Sequence, residues 1–171
     1  MTYAMQVLTG EEDTTISLCR VIIDNEHADI VTDIYYPEIE HKKRYEGKWH
    51  LIKKKMFPGY IFIETNDVDR LWCALRNVPK LTKLIGAGME PIALSADEVS
   101  FLMKTTGPDH VAELSIGYTI GDRLVVSSGS LKGQEGLVKK IDRHKRLALL
   151  EVEMFGRTVE MTMGLEVVEK L

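Results

Sequence analysis

Over residues 3–8 apolar and polar positions alternate, with Tyr3, Met5 and Val7 on one face, a period of two that predicts a strand. Thr9-Gly10 ends it. The acids Glu11, Glu12 and Asp13 suit the first turn of a helix, where the macrodipole is positive. Ile16, Cys19 and Ile23 then recur at helical spacing, with Leu18 and Ile22 widening the stripe, so the helix is expected to reach about Asn25 or His27. Residues 30–36 read as a second strand, closed by Pro37. Residues 38–55 are polar and basic around Gly47, the pattern of a hairpin or long excursion with a basic tip.

The stretch Met56-Phe57-Pro58-Gly59-Tyr60-Ile61-Phe62-Ile63-Glu64 organises the first half of the chain. Pro58 presets its own φ and Gly59 permits unusual backbone angles, so the chain can turn sharply into a strand. Tyr60, Ile61, Phe62 and Ile63 are aromatic or β-branched, as in a strand buried on both faces. Asn66-Asp67 caps a helix whose stripe is Val68, Leu71, Trp72 and Leu75, stopped at Val78-Pro79. Residues 81–85 suggest a short strand ended by Gly86 and Gly88. Ser95-Ala96-Asp97-Glu98 is a capping box for a helix with Val99, Leu102 and Met103 as its apolar stripe, expected to end near Lys104. The order β-α-β-hairpin-β-α-β-α predicts an α+β domain over residues 1–105, an antiparallel sheet with packed helices. Residues 106–117, with Gly107-Pro108-Asp109, are the expected linker.

From Tyr118 the pattern changes. Short strands are expected at residues 124–126, 137–138, 147–154, 158–163 and 166–168, punctuated by Gly121, Gly129, Gly133, Gly136, Gly156 and Gly164. Five strands in so short a stretch predict a small β-barrel over residues 118–171. A helical alternative for this tail is disfavoured by its glycines and its alternation.

Composition changes this picture little. At 171 residues, 44% hydrophobic and 28% charged, the chain has the make-up of an ordinary globular protein. No apolar run approaches the ~20 residues that span a membrane, and residues 1–4 carry no secretory pattern. Cys19 and Cys73 lie on apolar helix patterns and are expected to be buried thiols, which fits a reducing cytoplasm. Residues 129–133 lack the Gly-Lys-Ser/Thr ending of a phosphate loop, Gly86-Ala87-Gly88 lacks the rest of a dinucleotide fingerprint, and the five histidines show no metal-ligand spacing. No enzyme, cofactor or metal is expected.

Charge matters more by its distribution than by its sum of -4. Lys42, Lys43, Arg44, Lys48, Lys53, Lys54 and Lys55 cluster against Glu46 alone. Arg123, Lys132, Lys139, Lys140, Arg143, Lys145 and Arg146 form a second basic stretch. Local basic stripes in an acidic chain can hold a phosphate backbone, because fields decay within about 8 Å at physiological salt. The alternative for each is a solvated face.

The tail motif, Gly121-Asp122-Arg123-Leu124-Val125-Val126 with Gly129-Ser130-Leu131-Lys132-Gly133-Gln134-Glu135-Gly136-Leu137-Val138-Lys139-Lys140-Ile141-Asp142, resembles a KOW motif. Phe57-Pro58-Gly59-Tyr60, Trp72 with Arg76-Asn77-Val78-Pro79, Ile85-Gly86 and Phe155-Gly156-Arg157 stand in collinear order around it. Together they resemble the NusG/Spt5 family of transcription elongation factors over nearly the whole chain. The resemblance implies an N-terminal NGN domain that binds RNA polymerase and a C-terminal KOW domain that recruits nucleic acid or other factors. Thr2-Tyr3 stands in place of the family's Trp-Tyr pair, Ser130-Leu131-Lys132 in place of loop aromatics, and Arg143-His144-Lys145-Arg146 adds a basic cluster. With Leu81-Thr82-Lys83-Leu84-Ile85-Gly86, these features are similar to the LoaP group of specialised paralogs, which act as operon-targeted antiterminators.

That resemblance implies polymerase binding through Tyr3, Phe57, Pro58, Tyr60 and Leu84, the alternative being that all are core. It implies RNA-hairpin binding through Lys132, Lys139, Lys140, Arg143, His144, Lys145 and Arg146. Lys42, Lys43 and Arg44 are expected to approach upstream or non-template DNA as phosphate-positioning contacts. Phe155 matches the family aromatic that contacts Rho or the ribosome, with a core role as its alternative. The expected protein is a monomeric antitermination factor without membrane association. Its alternatives are a general elongation or termination factor whose KOW domain recruits Rho or the ribosome, and a ribosome-bound RNA module, which leaves the N-terminal half unexplained.

Overall fold

Tyr60–Thr65 forms one of the two inner strands of the first sheet, and its burial on both faces is why the run carries almost no charge. The computed structural model describes residues 1–86 and 88–168. In chain order the elements are β1 (Thr2–Gln6), α1 (Glu12–Ile22) continued by a π-helical turn (Ile23–His27), β2 (Val31–Tyr35), β3 (Glu38–Tyr45), β4 (Lys48–Lys55) and β5 (Tyr60–Thr65). Then come α2 (Val68–Arg76), α3 (Pro79–Leu84), β6 (Ile92–Ala93), α4 (Ala96–Thr106) and β7 (Val111–Ala112). The remainder is β8 (Ser115–Ile120), β9 (Arg123–Ser128), a 3-10 turn (Glu135–Leu137), β10 (Val138–Asp142), β11 (Leu147–Met154) and β12 (Arg157–Val167). The chain divides into two compact units, residues 1–36 with 57–99 and residues 37–56 with 100–171.

In the first unit the sheet order is β2-β5-β1-β6, and β5 runs antiparallel to both neighbours. Met5, Val7, Ile61 and Ile63 face the helices and pack with Cys19, Ile23, Leu71, Leu75 and Leu81. Asp67 caps α2 by accepting the Arg70 N–H at 3.0 Å. The Ser95–Glu98 box is reciprocal: Ser95 N donates to Glu98 at 2.6 Å and Glu98 N donates to Ser95 Oγ at 3.2 Å.

Two expectations in this unit are corrected. Residues 81–85 are not a strand; Pro79–Leu84 is a helical turn and a half, with proline at its start and Ile85 N donating to Leu81 O at 2.7 Å. A proline at the first helical position has its φ preset and lacks an N–H that would have no helical partner there, so it starts a helix as readily as it stops one. Cys73 is exposed on α2, one position round from the Trp72 stripe, whereas Cys19 is buried and its thiol is pushed up to about 12 by burial.

In the second unit β8–β12 form a five-stranded sheet in the order β10-β11-β12-β8-β9. Its outer strands, β9 and β10, flank an open groove. Residues 158–168, expected as two strands, belong mostly to one, because Gly164 lies inside β12 rather than between strands. A Cβ at Gly164 would collide with Glu40 O and stand 3.0 Å from His41 Cα, so the residue is there to let β3 approach. Within residues 106–117, β7 pairs in parallel with Glu38–Ile39 and β8 begins at Ser115. The hairpin β3–β4 therefore packs with the C-terminal strands; Lys54 Nζ donates to Thr162 Oγ1 at 2.9 Å and Leu114 N to Glu40 at 3.1 Å.

Candidate functional site

The Phe57–Tyr60 turn is fastened to the end of β1. Val7 N donates to Gly59 O at 2.8 Å, and Leu8 N donates to Leu84 O at 2.9 Å, so the turn and the last residue of α3 share one anchor. The completely buried Glu12 carboxyl group accepts Gly10 N through Oε2 and Gly59 N through Oε1, both at 2.8 Å. Gly59 has φ +84, and a Cβ there would meet Thr9 Oγ1 at 2.9 Å, so only glycine fits without strain. Around this knot Pro58 and Leu8 are exposed, while Tyr60 and Leu84 are half-buried.

Not every residue expected on that surface is there. Phe57 is only 4% exposed and lies against Phe62, ring centroids 6.1 Å apart. Phe62 also stacks on Tyr35 at 5.8 Å, and burial first, then Glu64 and Asp33, pushes the Tyr35 phenol up to about 12. Tyr3 pairs with Ile63 and so faces the helix layer, beside Trp72 and Pro91; Tyr60, of opposite parity on β5, faces away from it. Trp72 is half-buried among the helix-layer apolar residues.

In the second unit a groove of about 780 Å³ lies between β9 and β10, and Arg123, Lys139, Lys140 and Arg143 line it together with Asp122 and Glu135. Glu135 has another duty. It accepts Val126 N at 3.3 Å, and its carboxyl is held below its usual range chiefly by backbone hydrogen bonds, with Arg123 adding to the effect. Lys139 is 3.4 Å from Glu151, and Arg143 donates to Thr119 Oγ1 at 3.0 Å. The β10–β11 turn is shaped by Asp142, which accepts Lys145 N at 2.9 Å and is held below its usual range first by that bond. Arg143, His144 and Lys145 lie on this turn, all three exposed.

The other predicted cations differ in their surroundings. Lys132 is exposed on a loop whose Leu131 is buried, the Leu131 N–H donating to Ser115 Oγ at 2.9 Å. Lys43 and Arg44 are exposed on the hairpin, on opposite faces of β3. Lys42 and Arg146 are partly covered, because both contact Glu166, at 2.6 and 3.1 Å. The Arg146 guanidinium also lies 3.8 Å from the centroid of Trp49. Phe155 is 9% exposed in the β11–β12 turn, where Phe155 and Gly156 have φ of 60 and 71. That is the two-residue hairpin geometry, adopted here by a bulky residue.

Sequence reasoning overlooked Glu12, Trp49 and Glu166 as organising residues and left Arg123 out of the binding set. Arg123 had a signal, its place in the basic stretch; the other three acquire their roles only through partners distant in sequence. Among the described residues no group of His, Cys, Asp and Glu is arranged to hold a metal ion, and no helix is long and apolar enough to cross a membrane.

The family model described as transcription termination factor nusG matches residues 3–103. The chain is 32% identical over 141 residues to the transcription termination/antitermination protein NusG of Staphylococcus carnosus (strain TM300), covering 81% of this chain and 77% of that protein. Identity is 31%, with the same coverage, to the protein of that name from Staphylococcus aureus (strain Mu50). Among solved structures, Thermotoga maritima NusG, from work on its domain interaction, superposes with a TM-score of 0.51 at 19% identity, covering 95% of this chain and 92% of that one, a likeness of fold. NusG family proteins are non-enzymatic transcription factors built from NGN and KOW domains, and the curled C-terminal sheet fits the KOW barrel. The matched residues, the shared identity and the common fold converge: this chain belongs to the NusG family of transcription termination and antitermination factors.

Proposed function

We propose that this NusG family protein is a specialised antitermination factor of the LoaP type. It binds RNA polymerase through its NGN domain and the nascent RNA of particular operons through its KOW domain. The observation that carries the RNA reading is the groove between β9 and β10, where Arg123, Lys139, Lys140 and Arg143 surround a space open to solvent. Lysine and arginine neutralise phosphates, and arginine adds a planar fork for a base edge. The Arg143-His144-Lys145 turn adjoins the groove and suits the loop of an RNA hairpin, where bases are unstacked. The polymerase-binding reading rests on Pro58, Tyr60, Leu84 and Leu8 around the buried Glu12 knot, an apolar patch of the sort that marks a protein interface.

On this reading the NGN domain is residues 1–105, the linker 106–117 and the KOW domain 118–171. The protein acts as a monomer in the cytoplasm, alongside transcription. Lys43 and Arg44 approach upstream or non-template DNA. The test is binding of the full chain to leader RNA from its own genomic neighbourhood, against a scrambled hairpin, at two salt concentrations. Tight, sequence-selective binding supports the operon-specific reading. Weak, unselective binding erased by salt rejects it.

A second reading is a general elongation or termination factor whose KOW domain recruits Rho or the ribosome. The termination/antitermination names of its staphylococcal relatives favour it. The burial of Phe155, the aromatic that resemblance assigns to that contact, weighs against it. Pull-downs with polymerase, Rho and ribosomes separate the two.

A further inference from the structure

Glu166 neutralises two cations at once. Its Oε2 is 2.6 Å from Nζ of Lys42, a residue 124 positions away, and its Oε1 is 3.1 Å from an Arg146 guanidinium nitrogen. Arg146 in turn covers the ring of Trp49, which lies in the strand paired with β3. A carboxylate with one cation on each oxygen occupies the place that two oxygens of a phosphate would take. Two cations beside an indole are also what a nucleic-acid strand requires, charge for its backbone and a flat ring for a base. The Lys42, Arg146 and Glu166 side chains keep between 22% and 30% of their surface, so solvent and ligand reach them.

The ion pairs are not what holds the hairpin in place. The parallel β3–β7 pairing, the Glu40 contact with Leu114 N, the Lys54 bond to Thr162 and the close approach at Gly164 do that independently. The hairpin therefore has fastenings that do not involve Glu166, and Glu166→Gln keeps the side chain's shape and an oxygen to accept from Lys42 or Arg146. Arg146 also ends the turn that begins with the exposed Arg143, which brings any strand bound there to its neighbourhood.

We propose that Lys42, Arg146 and Trp49 form a further subsite for single-stranded RNA, taking one backbone phosphate and one unstacked base, and that Glu166 occupies it until a phosphate displaces the carboxylate. The subsite rests on the reading of the C-terminal unit as RNA-binding. Displacement moves the Arg146 guanidinium off Trp49 and frees the ring for stacking. No counterions are released from Lys42 and Arg146 in the native protein, because Glu166 already neutralises them; removing the Glu166 charge changes that.

The test uses the full chain and a leader hairpin carried with its single-stranded flank, and the same hairpin blunt. Glu166→Gln is expected to bind the flanked hairpin about 3- to 10-fold more tightly at low salt. Its slope of log affinity on log salt steepens by about 0.7, the increment for one phosphate newly neutralised on a single strand. The blunt hairpin is bound alike by both proteins. A second measurement keeps Glu166: with Trp72→Phe leaving Trp49 as the sole tryptophan, saturation with the flanked hairpin changes the Trp49 emission, and the blunt hairpin does not. RNA binding with the same affinity and slope in Glu166→Gln, together with unmoved Trp49 emission, overturns the subsite and leaves the groove reading standing. Failure of both proteins to bind either RNA overturns the groove reading and the subsite with it.

Discussion

The Glu12 carboxyl group accepts the backbone N–H of Gly59 at 2.8 Å, across 47 positions of sequence and with no exposure to solvent. Together with its bond to Gly10 N it ties the start of α1 to the turn that leads into β5. Glu12→Ala leaves two N–H groups without this acceptor. An unsatisfied buried donor costs about 1–3 kcal/mol, and the Gly10 N–H is only partly buried and costs less, so the loss expected is about 2–4 kcal/mol in urea unfolding. Glu12→Gln, which keeps an oxygen for one N–H, falls between. A loss below about 0.5 kcal/mol for the alanine variant contradicts the account, given that range.

Phe57 and Tyr60 lie three residues apart and predict opposite outcomes. Phe57→Ala removes a buried ring packed on Phe62 and costs about 3–5 kcal/mol of stability. Tyr60→Ala, at a half-buried position beside exposed Pro58, leaves a folded protein with weakened binding to RNA polymerase. Thermal unfolding and a polymerase pull-down measure the two. Unchanged polymerase binding by folded Tyr60→Ala sinks the interface reading.

Arg143→Ala with Lys145→Ala removes two cations from the β10–β11 turn. RNA affinity falls and its salt dependence flattens, by about 0.7–0.9 in slope for each phosphate no longer neutralised. Lys139→Ala flattens it less, since Glu151 already accompanies that lysine. Titrations at two salt concentrations decide; affinities equal to those of the parent protein at both reject the RNA role of this turn.

His41 is buried in the hairpin, and its imidazole is held below its usual 6.5, first by burial and then by Lys54 and Lys43, against a backbone hydrogen bond that favours the charged form. The folded state therefore binds the proton less readily than the unfolded one. Stability from this site is intact above about pH 6.5 and is lost as pH falls through the lower folded value. His41→Gln flattens that part of the stability profile, and the difference between the two urea-unfolding curves across pH isolates it. Parallel profiles show that His41 does not carry the effect.

Sequence periodicity was enough for elements whose cause is local. Leu147–Met154 alternates visibly, and the Ser95–Glu98 box is written in four consecutive residues. Residues 79–85 misled because so short an apolar run suits a strand or a buried helix turn, and Pro79 marks either an end or a start. The site was less legible. The basic residues were visible, but which ones are neutralised depends on Glu166, whose neighbours are set by tertiary packing. Tyr3 and Tyr60 both looked like surface aromatics; strand register puts them on opposite faces.

The parallel pairing of β12 with β8 carries a consequence for synthesis. Ser115–Gly117 gains its second neighbour only when Leu165–Val167 has been made. The β3–β4 hairpin, translated much earlier, has its own partners at Val111–Ala112 and Gly164. During elongation on the ribosome, residues 1–36 and 57–99 can therefore settle while the hairpin between them waits for its strands. In that interval Lys42 has no Glu166 to meet, and the hairpin presents its full positive charge to whatever polyanion is nearest.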